Sequence, residues 1–345
     1  MAEVAGRADL LDLLRCPECR RAGTLHEGTP SKLSCSGCGA SFPREDGILD
    51  FVRSRSDTGL DVTAYDEQKR VSPEAATALF KHLKALARSA IPDDLGTVLE
   101  VGAGTGFLTI GMLQQSTFQR AVITDISPAM LTLCRARVLE HVDSGKNERI
   151  AFATYASDDP LFRDGVFDLA IANSVLHHIE NYYSFLRDMH NALKPGGYFV
   201  CVEPSRTFHE ALSRAMADSL CQAMAQANPG DNSDLKKLAG WIFDLRYRLA
   251  FPADPAIANL EDKHLFSREE LSQAGSVAGF RAVTTTPNMV DVNGASAARE
   301  YVSELGISPS FTEAFLQTYL RYADSQFRLL PLSDHASMYV CAFKR

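Results

Sequence analysis

Val98-Leu-Glu-Val-Gly-Ala-Gly-Thr-Gly-Phe107 reads as a buried strand, a glycine-rich turn and the start of a helix. Gly102, Gly104 and Gly106 let the backbone turn tightly and approach a ligand closely. The helix that follows starts with free N–H groups aimed at the same place. Asp125 lies about twenty residues on, at the end of the next strand, where an acid accepts hydrogen bonds from both ribose hydroxyls. These features imply a cofactor containing a nucleoside, bound at the carboxyl ends of the strands. On the loop alone a dinucleotide remains an alternative. The Gly-x-Gly-x-Gly spacing and Glu100 turn the reading away from it. A negative charge there opposes a pyrophosphate and suits a sulfonium or the amino group of a methionine.

The pattern outward from this loop alternates strand and helix. Strands are predicted at 97–101, 121–124, 150–154, 167–172 and 198–202, with helices at 107–115, 128–141 and about 183–193. Residues 73–90 carry apolar side chains at helical spacing, with Ser72 as N-cap. Such alternation implies an α/β fold with a parallel sheet covered on both faces. Beyond Glu203 the pattern changes. Residues 205–262 read as mainly helical. Ser267-Arg-Glu-Glu270 has capping-box spacing for a short helix. Strands follow at 280–285 and 338–343, with helix over 297–330 between them.

Four segments carry a family resemblance: Leu99-Glu-Val-Gly-Ala-Gly-Thr-Gly106, Thr124-Asp-Ile-Ser-Pro-Ala-Met-Leu131, Phe167-Asp-Leu-Ala-Ile-Ala-Asn-Ser-Val-Leu-His-His178 and Leu193-Lys-Pro-Gly-Gly-Tyr-Phe-Val200. In this order and spacing the chain resembles the class I methyltransferases, closely over 95–205 and more loosely to 345. The resemblance implies a Rossmann-like, seven-stranded, mostly parallel sheet and S-adenosylmethionine as co-substrate. It implies that Glu100, Gly102, Ala103, Gly104 and Gly106 hold the methionine part, and Asp125 the ribose. Ile126 and Met130 would flank the adenine. Ser157 and Asp158 are the nearest matches to the residues the family places after its third strand, although Tyr155-Ala-Ser-Asp-Asp-Pro160 departs from the usual pattern. Asn173 would lie near the donor methyl group.

His177 and His178 follow the fourth strand. An imidazole with a pKa near 6.5 can take a proton from an attacking hydroxyl, which makes both candidate catalytic residues. The competing reading is structural: Leu176-His-His-Ile starts a helix, and one His bonds a backbone carbonyl. Methyl transfer from a sulfonium also proceeds by alignment and desolvation without a base. Glu203 faces the same edge, either touching substrate or serving as a structural carboxylate near Arg206.

Cys16-Pro-Glu-Cys19 and Cys35-Ser-Gly-Cys38 are two C-x-x-C knuckles. Each knuckle presents two thiolates, and together they suit a closed tetrahedral zinc site that supplies folding energy. Residues 10–53 are thus expected to be a small N-terminal zinc ribbon, 54–72 a linker and 73–345 the methyltransferase domain. The ribbon resembles the small zinc proteins that activate methyltransferases, and could fold, dock or dimerise. His26, between the knuckles, reads as a surface residue. Cys134, Cys201, Cys221 and Cys341 read as small core residues.

The chain has 345 residues, ordinary hydrophobic and charged fractions (46% and 23%) and a net charge of −8. Acidity weighs against long contacts with nucleic acid. The chain lacks a long apolar run, and its N-terminus lacks a secretory signal, so no membrane contact and a cytoplasmic location are expected. Residues 205–262 and 287–332 are expected to form a helical cap over the acceptor. Arg246 and Arg248 there read either as anion ligands or as surface charges. These features point to methylation of a small-molecule acceptor, expected as O-methylation in biosynthesis, with homo-oligomerisation left open. The alternatives are a ribosomal guanine-type RNA methyltransferase and a non-catalytic scaffold subunit of the same fold.

Overall fold

The computed structural model describes residues 10–52, 62–69, 72–226 and 233–345. Its strands are β1 (Leu25–Thr29), β2 (Lys32–Cys35), β3 (Ser41–Glu45), β4 (Ile48–Leu49), β5 (Thr97–Val101), β6 (Arg120–Asp125), β7 (Ile150–Thr154), β8 (Phe167–Asn173), β9 (Leu193–Pro204), β10 (Ala282–Val290) and β11 (Ala336–Lys344). Its helices are α1 (Val62–Lys69), α2 (Pro73–Ala87), α3 (Phe107–Gln115), α4 (Pro128–His141), α5 (Ser144–Asn147), α6 (Tyr182–Ala192), α7 (Arg206–Gln226), α8 (Ser233–Ala250), α9 (Arg268–Ala278), α10 (Ala295–Glu304) and α11 (Pro309–Phe327).

Seven strands form the expected Rossmann-like sheet in the order β7-β6-β5-β8-β9-β11-β10, with β11 running opposite to the other six. Side chains alternate between its faces, as the pleat requires. Val98, Ile123, Phe152 and Ile171 meet α2, α3 and α4 on one face. Leu99, Val122, Ala153 and Ala170 lie in the core that α6 and α9 cover on the other. The full Ser267/Glu270 capping box of α9 is as the sequence predicts, and Gly279 in a left-handed conformation ends the helix.

The N-terminal module does not stand apart from this sheet. β4 pairs in parallel with β7, and β1, β2 and β3 continue from it as an antiparallel meander, so the ribbon lengthens the sheet to 11 strands. Leu13, Leu14, Leu33, Phe42 and Phe51 belong to the same buried cluster as α6 and α9. This is the missing core of a segment too small to build its own. It also covers the edge of β7, whose free N–H and C=O groups would otherwise invite pairing.

Two other expectations change. The span 54–72 was expected to be a linker. Residues 54–61, 70 and 71 lie outside the described residues, and 62–69 form helix α1. Arg137 donates to Asp66 on that helix (2.6 Å) and to the Thr105 carbonyl of the glycine loop (2.9 Å), so α1 is tied to the loop. The second cap segment, expected from 287, begins after β10 ends at Val290. Helices α7, α8, α10 and α11 of those two spans share a separate buried cluster around Phe208, Leu238, Phe315 and Tyr319.

Phe51 packs on Phe42 (ring centroids 5.0 Å apart), and its N–H donates to Thr154 Oγ1 on β7 (2.8 Å). Phe51→Ala is expected to cost about 3 kcal/mol in one unfolding transition shared by ribbon and sheet. Denaturant unfolding followed by circular dichroism checks it. A separate early transition for the ribbon would contradict the shared core.

Candidate functional site

The glycine loop turns at the carboxyl end of β5. Gly102, Gly104 and Gly106 all have positive φ (70°, 54° and 93°). At Gly102 a Cβ would come within 2.3 Å of Val175 Cγ2, so the loop after β8 is seated directly against it. At Gly104 a Cβ would meet nothing within 4 Å, which leaves the backbone open to a ligand. Asp125 clamps this loop to the next one. Its Oδ2 accepts from Gly104 N–H (2.8 Å) and its Oδ1 from Ser127 N–H (2.9 Å). A carboxylate has lone pairs beyond these two, so the acid retains capacity for hydroxyl donors. Burial raises its pKa, while the Ser127 and Gly104 N–H groups oppose the rise.

Glu100 lies buried beneath the loop, and its Oε2 has no hydrogen-bond partner among the described residues. Burial, with the neighbouring charge of Asp125, pushes its pKa up to about 8. An orphaned buried carboxyl oxygen beside an open glycine backbone fits the cationic end of an amino acid.

The other sequence candidates divide. Ile126 is 51% exposed, as an adenine-facing residue would be, whereas Met130 is buried. Ser157 is half-buried and Asp158 exposed in the loop after β7. Asn173 ends β8, in register with Val202 of β9, and Ser174 after it has a positive φ of 58°. A non-glycine residue there is strained, and such strain clusters at functional turns.

His177 and His178 occupy a short 3-10 turn, Leu176–His178. Glu203 governs it. The carboxylate is fully buried, and it accepts N–H bonds from Val175 (3.2 Å), Leu176 (2.8 Å) and His177 (3.1 Å). His177 Nδ1–H also donates to it at 2.8 Å. Arg206 instead pairs with Glu270, at 3.0 and 3.3 Å. His177 is buried. Burial opposes its charged form, yet the bond and charge of Glu203, with Asp262, prevail and raise its pKa. His178 matches the structural reading in part: its Nδ1–H donates to the Glu261 carbonyl (3.0 Å). Burial, and then the charge of His177, lower its pKa.

Sequence reasoning missed the partners from the cap. Asp262 Oδ1 lies 3.6 Å from His177 Nε2 and 3.5 Å from His178 Nδ1, and its Oδ2 lies 3.6 Å from Arg248. Arg246 is exposed, so the two arginines paired in sequence part company here. The His177 carbonyl accepts from the N–H groups of Lys263 (2.8 Å) and His264 (3.1 Å). No motif marks Asp262; only the fold brings it to His177. The ligand atoms of His177, His178 and Asp262 lie within 4.8 Å of one another. Arg248 already supplies positive charge to that carboxylate, so the group does not call for a cation.

In the ribbon, the Sγ atoms of Cys16 and Cys38, and of Cys19 and Cys35, are 3.7 Å apart, and all four lie within 4.8 Å of one another. Zn–S bonds of about 2.3 Å place tetrahedral sulfurs about 3.8 Å apart, so the arrangement is compatible with zinc. His26 is exposed, away from the ligand set. Cys134, Cys201 and Cys341 are buried, but Cys221 is exposed on α7, contrary to expectation.

Glu100 gives a pH prediction. Its folded pKa of about 8 exceeds the ordinary 4.5, so the folded chain binds that proton more tightly than the unfolded one. Stability from this group is therefore full below about pH 4.5 and is lost as pH rises to about 8. Glu100→Gln removes the titration. Relative to the parent, the variant should gain stability between about pH 5 and pH 8 in denaturant unfolding. A pH-independent difference would contradict the assignment.

Residues 99–199 match the model of a methyltransferase domain family. The reducing polyketide synthase Preu2 of Preussia isomera is 34% identical over 110 residues, which are 31% of this chain and 4% of that protein. The highly reducing polyketide synthase 2 of Gibberella zeae is 38% identical over 120 residues, 31% of this chain and 5% of that protein. This chain thus aligns with only a small fraction of those relatives. Among solved structures, an S-adenosylmethionine-dependent methyltransferase from Mesorhizobium loti aligns over 79% of this chain and 100% of its own, at 18% identity and a TM-score of 0.44. Among the described residues no helix is long and apolar enough to cross a membrane. With the strand order, the glycine loop and Asp125 in place, residues 99–199 thus match a methyltransferase domain.

Proposed function

We propose that this chain transfers a methyl group from S-adenosylmethionine to a small biosynthetic acceptor, with His177 as the base that takes the acceptor's proton. The observation that carries the proposal is the buried His177–Glu203 pair at 2.8 Å, beside the glycine loop. Glu100 and Gly104 receive the amino-acid end of the donor, and Asp125 the ribose. Ile126 lies against the adenine, and Asn173 lies by the methyl group. The donor supplies an activated methyl group on sulfur.

Glu203 fixes the His177 tautomer. Its carboxylate holds the proton on Nδ1, which leaves Nε2 to accept one. Of the charged and titratable groups around that ring, Glu203 on β9 and Asp262 from the cap favour its cationic form, and Arg248 on α8 opposes it. His178, His209 and His264 complete the set. A base suits an acceptor atom that carries a removable proton, a hydroxyl or an enolisable carbon. The oxygen expected from sequence is one of these two. The polyketide synthase relatives and the helical cap support a small acceptor over a nucleic acid.

His177→Ala is expected to lower kcat by about 10²–10⁴-fold while S-adenosylhomocysteine binding stays intact. Glu203→Gln removes the charge that raises the His177 pKa, so the pH midpoint of kcat should move down as the plateau falls. Labelled-methyl transfer to a panel of phenols and β-ketoacyl thioesters, followed by mass spectrometry, checks both. Failure of the parent chain to bind S-adenosylhomocysteine would sink the reading.

We also propose that Cys16, Cys19, Cys35 and Cys38 hold a structural zinc ion. All four positions are taken by sulfur, so its contribution is to folding. Metal analysis should find one zinc per chain. Because the ribbon shares its core with the sheet, chelation should lower the melting temperature of the whole molecule. Loss of metal without any change in that temperature would contradict the proposal.

A further inference from the structure

Arg248 is anomalous for a buried arginine. Its side chain is 9% exposed, and its ion-pair partner, Asp262, is 50% exposed and 3.6 Å away. Charge-assisted hydrogen bonds are about 2.7–2.9 Å long. Two other shielded arginines of this chain close such pairs. Arg44 holds Glu27 through two bonds of 2.8 and 2.9 Å, and Arg206 holds Glu270 through two more. A pair this long leaves the Arg248 fork loosely held, with room for a closer carboxylate. His177 and His178 stop at similar distances from the same carboxylate, 3.6 and 3.5 Å. Three nitrogen-bearing side chains thus converge on one loosely held carboxylate beside the proposed base.

We infer that Arg248 forms an acceptor subsite for a carboxylate, and that the small molecule methylated here is an organic acid. The inference rests on the methyl-transfer reading above. The planar fork of Arg248 matches a carboxylate bidentately, and Asp262 shows that a carboxylate fits among these groups. An acceptor bound through this fork is anchored next to His177 Nε2. Arg248 is then a specificity-determining residue, and Asp262 competes for it as a like charge.

The test uses the full chain saturated with S-adenosylhomocysteine, and benzoate and benzamide as probes of equal shape. Benzoate should bind at least about tenfold more tightly than benzamide, as a charge-assisted pair implies. Arg248→Gln should abolish that preference without changing S-adenosylhomocysteine affinity, and Arg248→Lys should keep part of it. Asp262→Asn should tighten benzoate binding, which a purely structural Arg248–Asp262 pair would not do. Equal affinities for the two probes, binding of neither, or a preference that survives Arg248→Gln would overturn the inference. Should Arg248→Gln fail to fold, Asp262→Asn decides, and unchanged benzoate affinity overturns it. Loss of S-adenosylhomocysteine binding in the parent chain would instead remove the reading beneath it.

Discussion

The Glu203 carboxylate is the contact on which the site depends. It is fully buried at the end of β9, a position that costs several kcal/mol unless each oxygen is satisfied. Three consecutive N–H groups and the His177 ring meet that need. Because the donors come from the turn after β8, the carboxylate fixes that turn against the neighbouring strand. Val175 is then pressed against Gly102 on one side. The His177 carbonyl takes Lys263 and His264 N–H groups on the other. One acid therefore joins three parts of the chain: the glycine loop, the turn that carries the proposed base, and the cap segment that brings Asp262.

The opposite edge of the sheet obeys a different constraint. β7 would be an exposed edge, and the ribbon would be a fragment without a core. Each remedies the other. Leu13, Leu33, Phe42 and Phe51 find their partners in the cluster beneath α6 and α9, while β4 gives β7 a neighbour. Cys16 and Cys35 of the Cys₄ cluster lie in that same buried cluster, so a perturbation there reaches the sheet through continuous packing.

The legible part of this molecule is local. Strand ends, caps and the glycine loop depend on neighbours within a few residues, and 128–141, 150–154 and the capping box at Ser267 fall where periodicity and capping chemistry put them. Asp125 was legible because its distance from the loop is set by one β-α-β crossover. What could not be read depends on tertiary placement. Glu203 has no local signal that distinguishes a cap for a remote turn from a partner for Arg206. The ribbon's apolar residues show a shortage of core without naming the sheet that supplies it. Arg246 and Arg248 look alike in sequence, and only the packing of α8 makes one a surface charge and the other a buried one.

The charges around the site fit the electrostatics of the proposed transfer. A sulfonium gives its methyl group to an atom that has lost, or is losing, a proton, so positive and negative charge are both consumed as the bond forms. Water stabilises the separated charges more than the product-like state and would slow the step. In the proposed arrangement Glu100 and Asp125 offer fixed acceptors on the donor side, while Arg248 offers donors on the acceptor side. Each reactant's remote charge is matched away from the reacting atoms. The proposed role of α7, α8, α10 and α11, which pack around their own buried cluster, is to keep water from between them. His177 is the one group that changes charge during the step, and Glu203 compensates for that change at 2.8 Å. Binding through remote charges, with a dry gap between them, lets alignment and one proton transfer do the chemistry.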